Sequence, residues 1–250
     1  MEPELDHQTD TIEGGGEPEV PVAPWLRAPR KARGRVHLTR DGIIDGALRL
    51  LDRDGAAGFS MRKLAEELGV GAGALYWHVA NKEQLLQLVF DRVIGELPMP
   101  DPDARHWREQ IKQAAQDERE MMRRHPGIAQ LSFGRVPFGP NAVRYMEWHL
   151  SVLLSGGISN RAATLAGDLL YLYIGAFSYE ECIGIAVPGD DATVHDFIAE
   201  LREYFASLPA DRFPNLSALA GELTTGGPDE RFDFGLDVLL DGLVAQSKKG

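Results

Sequence analysis

Residues 60–82 read SMRKLAEELGVGAGALYWHVANK, and no other window constrains the fold as strongly. Ser60 stands where a hydroxyl caps the free N–H groups of a first helical turn, and Phe59 and Leu64 occupy the two positions of a hydrophobic staple, so a short helix is expected through Glu67. Gly69 falls where the chain must take up a left-handed conformation, and Ala65 is small where two helices cross closely. Leu64, Leu68, Val70 and Leu75 supply the buried contacts between that helix and a second one expected over residues 72–78. The pattern is a helix-turn-helix. Ala-x-x-x-Gly alone would fit any αα-corner in a helical core, so the flanking residues decide the reading.

Upstream, Thr39 caps another helix, with Leu38 and Ile43 as its staple; Ile44, Ala47, Leu48 and Leu51 give it an apolar face, and Gly55 ends it. Downstream, Asn81 caps a helix carrying Leu85, Leu86, Val89, Val93 and Ile94, which stops before Pro98, Pro100 and Pro102. Further helices are expected over 104–124, 127–131 and 141–155. Gly156 and Gly157 interrupt the chain, Ser159 caps a long apolar helix over 160–186, and a helix over 193–208, an irregular stretch through Pro214 and a last helix over 228–246 follow. Phe232, Leu236, Leu239 and Leu243 form a stripe on the last of these, with Gly235 and Gly242 one heptad apart. Period-two apolar alternation is absent, so the expected fold class is all-α: an N-terminal three-helix helix-turn-helix domain (36–97) and a C-terminal helical domain (98–250).

Charge divides the chain in the same way. The whole carries 26 basic and 38 acidic residues, a formal charge of −12, which argues against coating nucleic acid or an anionic membrane over its full surface. Residues 1–24 hold seven acids and no base, with four prolines, and are expected to be a disordered tail. Residues 25–95 are the only net positive block, and Arg27, Arg30, Lys31, Arg33 and Arg35 form a basic arm just ahead of the helix-turn-helix. Such arms enter the minor groove beside the site a helix reads, though the same composition also suits a solvated linker. Cys182 is the single cysteine, the opening residues are acidic, and no apolar run approaches the roughly 20 residues of a membrane span, so a cytoplasmic protein without disulfide or membrane contact is expected.

Residues 38–97, with LYWHVANK at 75–82, resemble the DNA-binding domain of the TetR family of bacterial one-component repressors, and the stretch 232–243 is similar to that family's last helix. The resemblance implies an all-α homodimer, a three-helix head docking in the major groove of an operator, and a small-molecule effector pocket in the body. Arg62 matches the family's guanine-contacting arginine. Tyr76, Trp77, His78 and Lys82 match positions that hold phosphate or flank bases, and Thr39 joins them through its helix N-terminus. Ala72, Gly73 and Ala74 have no side chain able to make a bidentate bond to a base edge; they offer backbone N–H groups to phosphate and small apolar contacts to a thymine methyl.

For the body, the resemblance and the concentration of aromatic residues single out Trp107, Phe133, Tyr145, Trp148 and Phe177 as ligand-binding candidates, with His149, Asp168 and Glu181 able to orient a ligand. Each also suits a packed core. The helices over 160–186 and 228–246 are expected to form an intersubunit four-helix bundle, with Gly235 and Gly242 permitting close approach. Tetracycline-binding members of the family hold their drug as a magnesium complex through imidazoles, at places that here carry Leu97 and Ser132. No metal or other cofactor is therefore expected, and an apolar or aromatic effector fits better. No G-x-S-x-G, H-E-x-x-H, P-loop or strand-anchored G-x-G-x-x-G occurs, so an enzyme is not expected. The expected function is a ligand-released repressor on a palindromic operator; the alternative is an architectural DNA-binding protein with no effector.

Overall fold

The computed structural model describes residues 38–132, 138–184 and 194–248, and every regular element among them is a helix. The expected acidic tail and basic arm, with Arg27, Arg30, Lys31, Arg33 and Arg35, lie outside the described residues, as does Phe133.

Four helices make the head: α1 (Arg40–Gly58), α2 (Met61–Glu67), α3 (Ala72–Leu75) and α4 (Lys82–Ile94). Each predicted cap is in place. Thr39 Oγ1 accepts from the Gly42 N–H at 3.0 Å, Ser60 Oγ from Lys63 at 3.2 Å and Asn81 Oδ1 from Gln84 at 2.8 Å, each stabilising its helix by about 1 kcal/mol. Gly55, at φ 69°, interrupts α1 rather than ending it, and one more turn follows to Gly58. Between α2 and α3, Gly69 has φ 66°. Its N–H donates to Glu66 O at 3.2 Å while the Val70 N–H donates to Ala65 O at 3.0 Å, the paired bonds of a Schellman motif that satisfies the last carbonyls of α2. α3 stops at Leu75, short of the expected His78. The N–H groups of His78 and Val79 both fold back onto Leu75 O, at 2.9 and 3.1 Å, and so deliver Val79 into the core ahead of Asn81. Ile43, Leu50, Leu51, Leu64, Leu75, Leu85 and Val89 are fully buried between these helices, each contributing about 1.5–3 kcal/mol.

The body follows with α5 (Trp107–Arg124), α6 (Pro126–Ser132), α7 (Pro140–Ser155) and α8 (Asn160–Ile183). α5 starts later than expected because Asp103 first closes a turn, accepting from the Arg105 N–H at 2.8 Å and pairing with His106 Nδ1 at 2.9 Å. α8 stops at Gly184, at φ 71°, before the expected residue 186. α9 (Val194–Ser207) buries no residue and packs on α10 (Pro214–Ala218) and α11 (Ala220–Leu223), two short helices in a stretch for which the sequence pattern announces no helix. α12 (Pro228–Ser247) completes the chain's helices among the described residues.

α8 is the centre of the body, packing against α5, α6, α7 and α12. Head and body share two seams. Along the first, α1 lies on α6 so closely that a Cβ on Gly127 would sit 2.5 Å from Leu51 O; glycine is the residue that admits this crossing. Polar bonds flank it: His125 Nδ1 lies 2.8 Å from Asp52 Oδ2, and Gln130 Oε1 accepts from the Ala56 N–H at 2.9 Å, just after the Gly55 break. Along the second seam, buried Asp91 of α4 accepts from the Ala142 N–H at 2.9 Å and from Asn141 Nδ2 at 3.3 Å, capping α7 from the neighbouring helix.

Candidate nucleic-acid interface and effector cavity

At the tip of the head, α2 and α3 present short and mostly uncovered side chains. Ala72 and Gly73 are exposed in the first turn of α3, where backbone N–H groups have no acceptor within the helix. Tyr76 and Trp77 follow directly, 52 % and 89 % exposed. Tyr76 and Trp77 together leave an aromatic patch uncovered at the tip of the head. Arg62, in the first turn of α2, is exposed, and its guanidinium comes no closer than 3.8 Å to Glu66 one turn on, a contact worth a few tenths of a kcal/mol. Lys82 Nζ donates to Phe59 O at 3.0 Å and lies 5.3 Å from the Phe59 ring centroid, which brings the start of α4 beside the start of α2 and leaves two ammonium donors for an anion. Thr39 Oγ1 is engaged as a cap, with its residue exposed. Ala74 and His78 are half-buried.

A cavity of about 450 Å³ lies between α4, α5, α7 and α8. Phe90 and Ile94 of α4 with Leu97 just beyond its end form one wall, Met121 and Met122 of α5 another, and Leu150 and Leu153 of α7 with Ala163, Gly167 and Tyr171 of α8 the remainder. Met146, Thr164 and Asp168 line it too and are exposed, so it opens between α7 and α8. Its floor is polar. Tyr145 donates through its hydroxyl to Glu118 Oε1 at 2.9 Å, and His149 Nε2 lies 3.7 Å from the same oxygen, beyond hydrogen-bond reach and with no partner among the described residues. Burial pushes the Glu118 carboxyl up to about 7, against the lowering effect of the Tyr145 hydrogen bond; burial also drives the His149 imidazole down to about 4. His149 is therefore uncharged at neutrality, and Glu118 stands near its midpoint there.

Of the body residues singled out by sequence, Tyr145, His149 and Asp168 come together at this cavity. Trp107, Trp148, Phe177 and Glu181 do not line it. Trp107 packs on Gly156, where a Cβ would lie 2.2 Å from the indole; Trp148 stacks on Tyr145 at 5.6 Å and donates to Pro100 O at 2.6 Å. Phe177 and Phe232 enclose the Arg119 guanidinium, at 5.0 and 4.6 Å from their centroids. Glu181 receives Arg119 at 2.6 Å and Arg123 at 2.8 Å; burial opposes its ionisation, and the two guanidinium groups nevertheless hold its carboxyl below the usual range. These four residues build the walls behind the site. Glu118 was not singled out by the sequence reading. Its signal is an acid inside the buried stripe of α5, between Ala115 and Met121 and directly beside the apolar positions Ile111, Ala114 and Met122.

Ser132 is buried and donates its hydroxyl to Ala129 O at 2.9 Å, and Leu97 offers only methyl groups to the cavity, so neither position presents an imidazole. Gly235 does not face outward: a Cβ there would lie 2.3 Å from the hydroxyl of Tyr173 in the same chain, whereas Gly242 is open.

Two family descriptions match the chain. "Bacterial regulatory proteins, tetR family" covers residues 43–89, and "Tetracyclin repressor-like, C-terminal domain" covers residues 99–247. The chain belongs to the TetR family of transcriptional regulators. Members of this family are DNA-binding regulators and not enzymes, and the helix-turn-helix is the DNA-binding element. An HTH-type transcriptional regulator of Saccharopolyspora erythraea is 35 % identical, the match covering 95 % of this chain and 96 % of the relative. The HTH-type transcriptional repressor DrrR1 of Streptomyces coeruleorubidus is 32 % identical over 90 % of this chain and 85 % of its own. Among solved structures, the TetR family protein ActR of Streptomyces coelicolor in complex with actinorhodin matches with a TM-score of 0.77 and 39 % identity, covering 84 % of this chain and 97 % of ActR. Among the described residues no helix is long and apolar enough to cross a membrane.

Proposed function

We propose that this regulator is a ligand-released repressor: a homodimer that binds a palindromic operator and lets go when a small apolar or aromatic molecule fills the cavity. One observation carries the reading. Phe90 and Ile94 of α4 wall the cavity, while Leu85 and Val89 of the same helix sit in the core of the head, so a molecule in the cavity presses on the helix that supports the DNA-reading tip. Relief of repression tenfold requires the ligand to prefer the non-binding arrangement by about 1.4 kcal/mol. An architectural protein without an effector has no use for a cavity placed there, and the complex of ActR with actinorhodin supports a small-molecule ligand.

In this reading Arg62 reads a base edge, the first turn of α3 with Tyr76, Trp77, His78, Lys82 and Thr39 fixes register on the phosphates, and the arm at residues 27–35 lies in the minor groove. Removing the arm lowers the salt slope by about 0.9 per lost phosphate contact. Exposed Leu165, Leu169 and Leu172 on α8, with Phe234 and Val238 on α12, supply the apolar face for the two-fold bundle.

The test is fluorescence anisotropy of the full chain on duplexes tiled across the DNA flanking its own gene. One short palindromic segment is expected to bind tightly. Gly167→Trp, which places an indole in the cavity from a position with nothing within 4 Å of its Cβ, is expected to weaken that binding at least tenfold while the protein stays folded. Equal binding to every duplex, or unchanged affinity in the folded variant, overturns the reading.

A further inference from the structure

The cavity carries acid at both ends, and the one basic group among its described lining residues is the uncharged imidazole of His149. Glu118 forms its floor, Asp168 stands at its mouth, and no lysine or arginine among the described residues lines it. The nearest buried cation, Arg119, is the next residue after Glu118 on α5 and is turned the other way, enclosed by Phe177 and Phe232 and bound to Glu181. The remaining polar groups of the lining are Tyr145, His149, Thr164 and Tyr171. The Tyr145 hydroxyl is engaged with Glu118, and the His149 Nε2 is held without a partner.

We infer that the effector is an aromatic molecule bearing hydrogen-bond donors, an ammonium or a hydroxyl, which meet Glu118 at the floor and Asp168 at the mouth, and that aromatic carboxylates are rejected. A carboxylate pushed into this space would face two acids, with no lysine or arginine among the described lining residues to oppose its charge, and removing it from water there is costly. An ammonium or hydroxyl finds acceptors instead: the Glu118 carboxyl, the Asp168 carboxyl and, with a small ring adjustment, His149 Nε2. Burial supports the same direction, because a Glu118 carboxyl held near its midpoint at neutral pH ionises readily when a donor or cation arrives. The Met121, Met122 and Phe90 surfaces receive the aromatic body.

This inference rests on the effector reading, and the test separates the two. N-phenyl-1-naphthylamine, an uncharged dye that brightens in apolar surroundings, is first bound to the full chain; signal lost in Gly167→Trp places the dye in the cavity. It is then displaced by three probes sharing one ring system: 1-naphthylmethylamine, 1-naphthalenemethanol and 1-naphthoic acid. The amine and the alcohol are expected to displace it at concentrations at least tenfold lower than the acid. Asp168→Asn, at the exposed mouth, is expected to narrow that gap by several fold, and Glu118→Gln, of equal size, to narrow it further. If the dye binds in the cavity and the naphthoate competes as well as the amine, the charge preference is wrong and the effector site stands. If the dye does not enter the cavity at all, the effector site fails and the preference with it.

Discussion

The tip of the head and the floor of the cavity violate the ordinary sorting of side chains in opposite directions. At the tip, the large apolar ring of Trp77 is left in water; at the floor, the ionisable Glu118 and His149 are taken out of it. The two arrangements differ in their effect on the fold. Exposing an indole forgoes burial that the chain never uses elsewhere, so the tip is close to neutral for stability. Holding a carboxyl and an imidazole in an apolar pocket depends on both staying uncharged, so the floor makes stability respond to pH.

The largest expected effect sits at the floor. Glu118 ionises about 2.5 pH units above its ordinary value, so the native state holds a proton that the unfolded chain has lost between about pH 4.5 and 7, and stability falls across that window by about 3 kcal/mol. His149 runs the other way. Its lowered value means the unfolded chain binds the extra proton between about pH 4 and 6.5, so its contribution rises with pH there by a similar amount. In the intact protein the two slopes oppose each other. Glu118→Gln is therefore expected to raise stability at pH 8 by about 3 kcal/mol and to leave a rising profile from pH 4 to 6.5, measured by urea unfolding. A flat profile in that variant would show that the floor is not shielded as described.

Next in size is Tyr145→Phe, which removes the donor to Glu118 Oε1 and leaves a buried acceptor without its partner; a loss of about 1–3 kcal/mol at pH 8 is expected in the same assay. Trp77→Ala should do the reverse of a floor mutation: operator affinity falls about tenfold, about 1.4 kcal/mol, while unfolding shifts by no more than about 0.5 kcal/mol. A stability loss of several kcal/mol would abolish the contrast between the two regions. Smallest is Gly69→Ala, which costs about 1 kcal/mol in backbone strain alone, because a Cβ there meets nothing within 4 Å.

The same contrast explains what could be read in advance. The tip is encoded locally: Thr39, Ser60 and Asn81 cap helices within three residues of themselves, and Gly69 sets its turn from its own φ, so 60–82 could be interpreted without knowing the rest of the fold. The cavity is assembled from four helices spread between Phe90 and Tyr171, and periodicity tells which face of each is buried without telling which faces leave a gap. Trp107 and Phe177, candidates by residue type, do not line the cavity, while Glu118, which does, is hidden in an apolar stripe. α10 and α11 escaped for a related reason. Four or five residues are too few to display a helical period.

α4 is a rod of 13 residues, about 20 Å long, with its first turns gripped by the head and its last turns forming the cavity wall. Pivoting it by about 5° around its middle displaces each end by about 0.9 Å, on the scale of the clearance around a single methyl group. Leverage of this kind needs no flexible joint and no melting of structure. Sensitivity would then scale with how far from the pivot a guest wedges itself, so that shape alone, at equal affinity, would grade guests from silent to fully releasing.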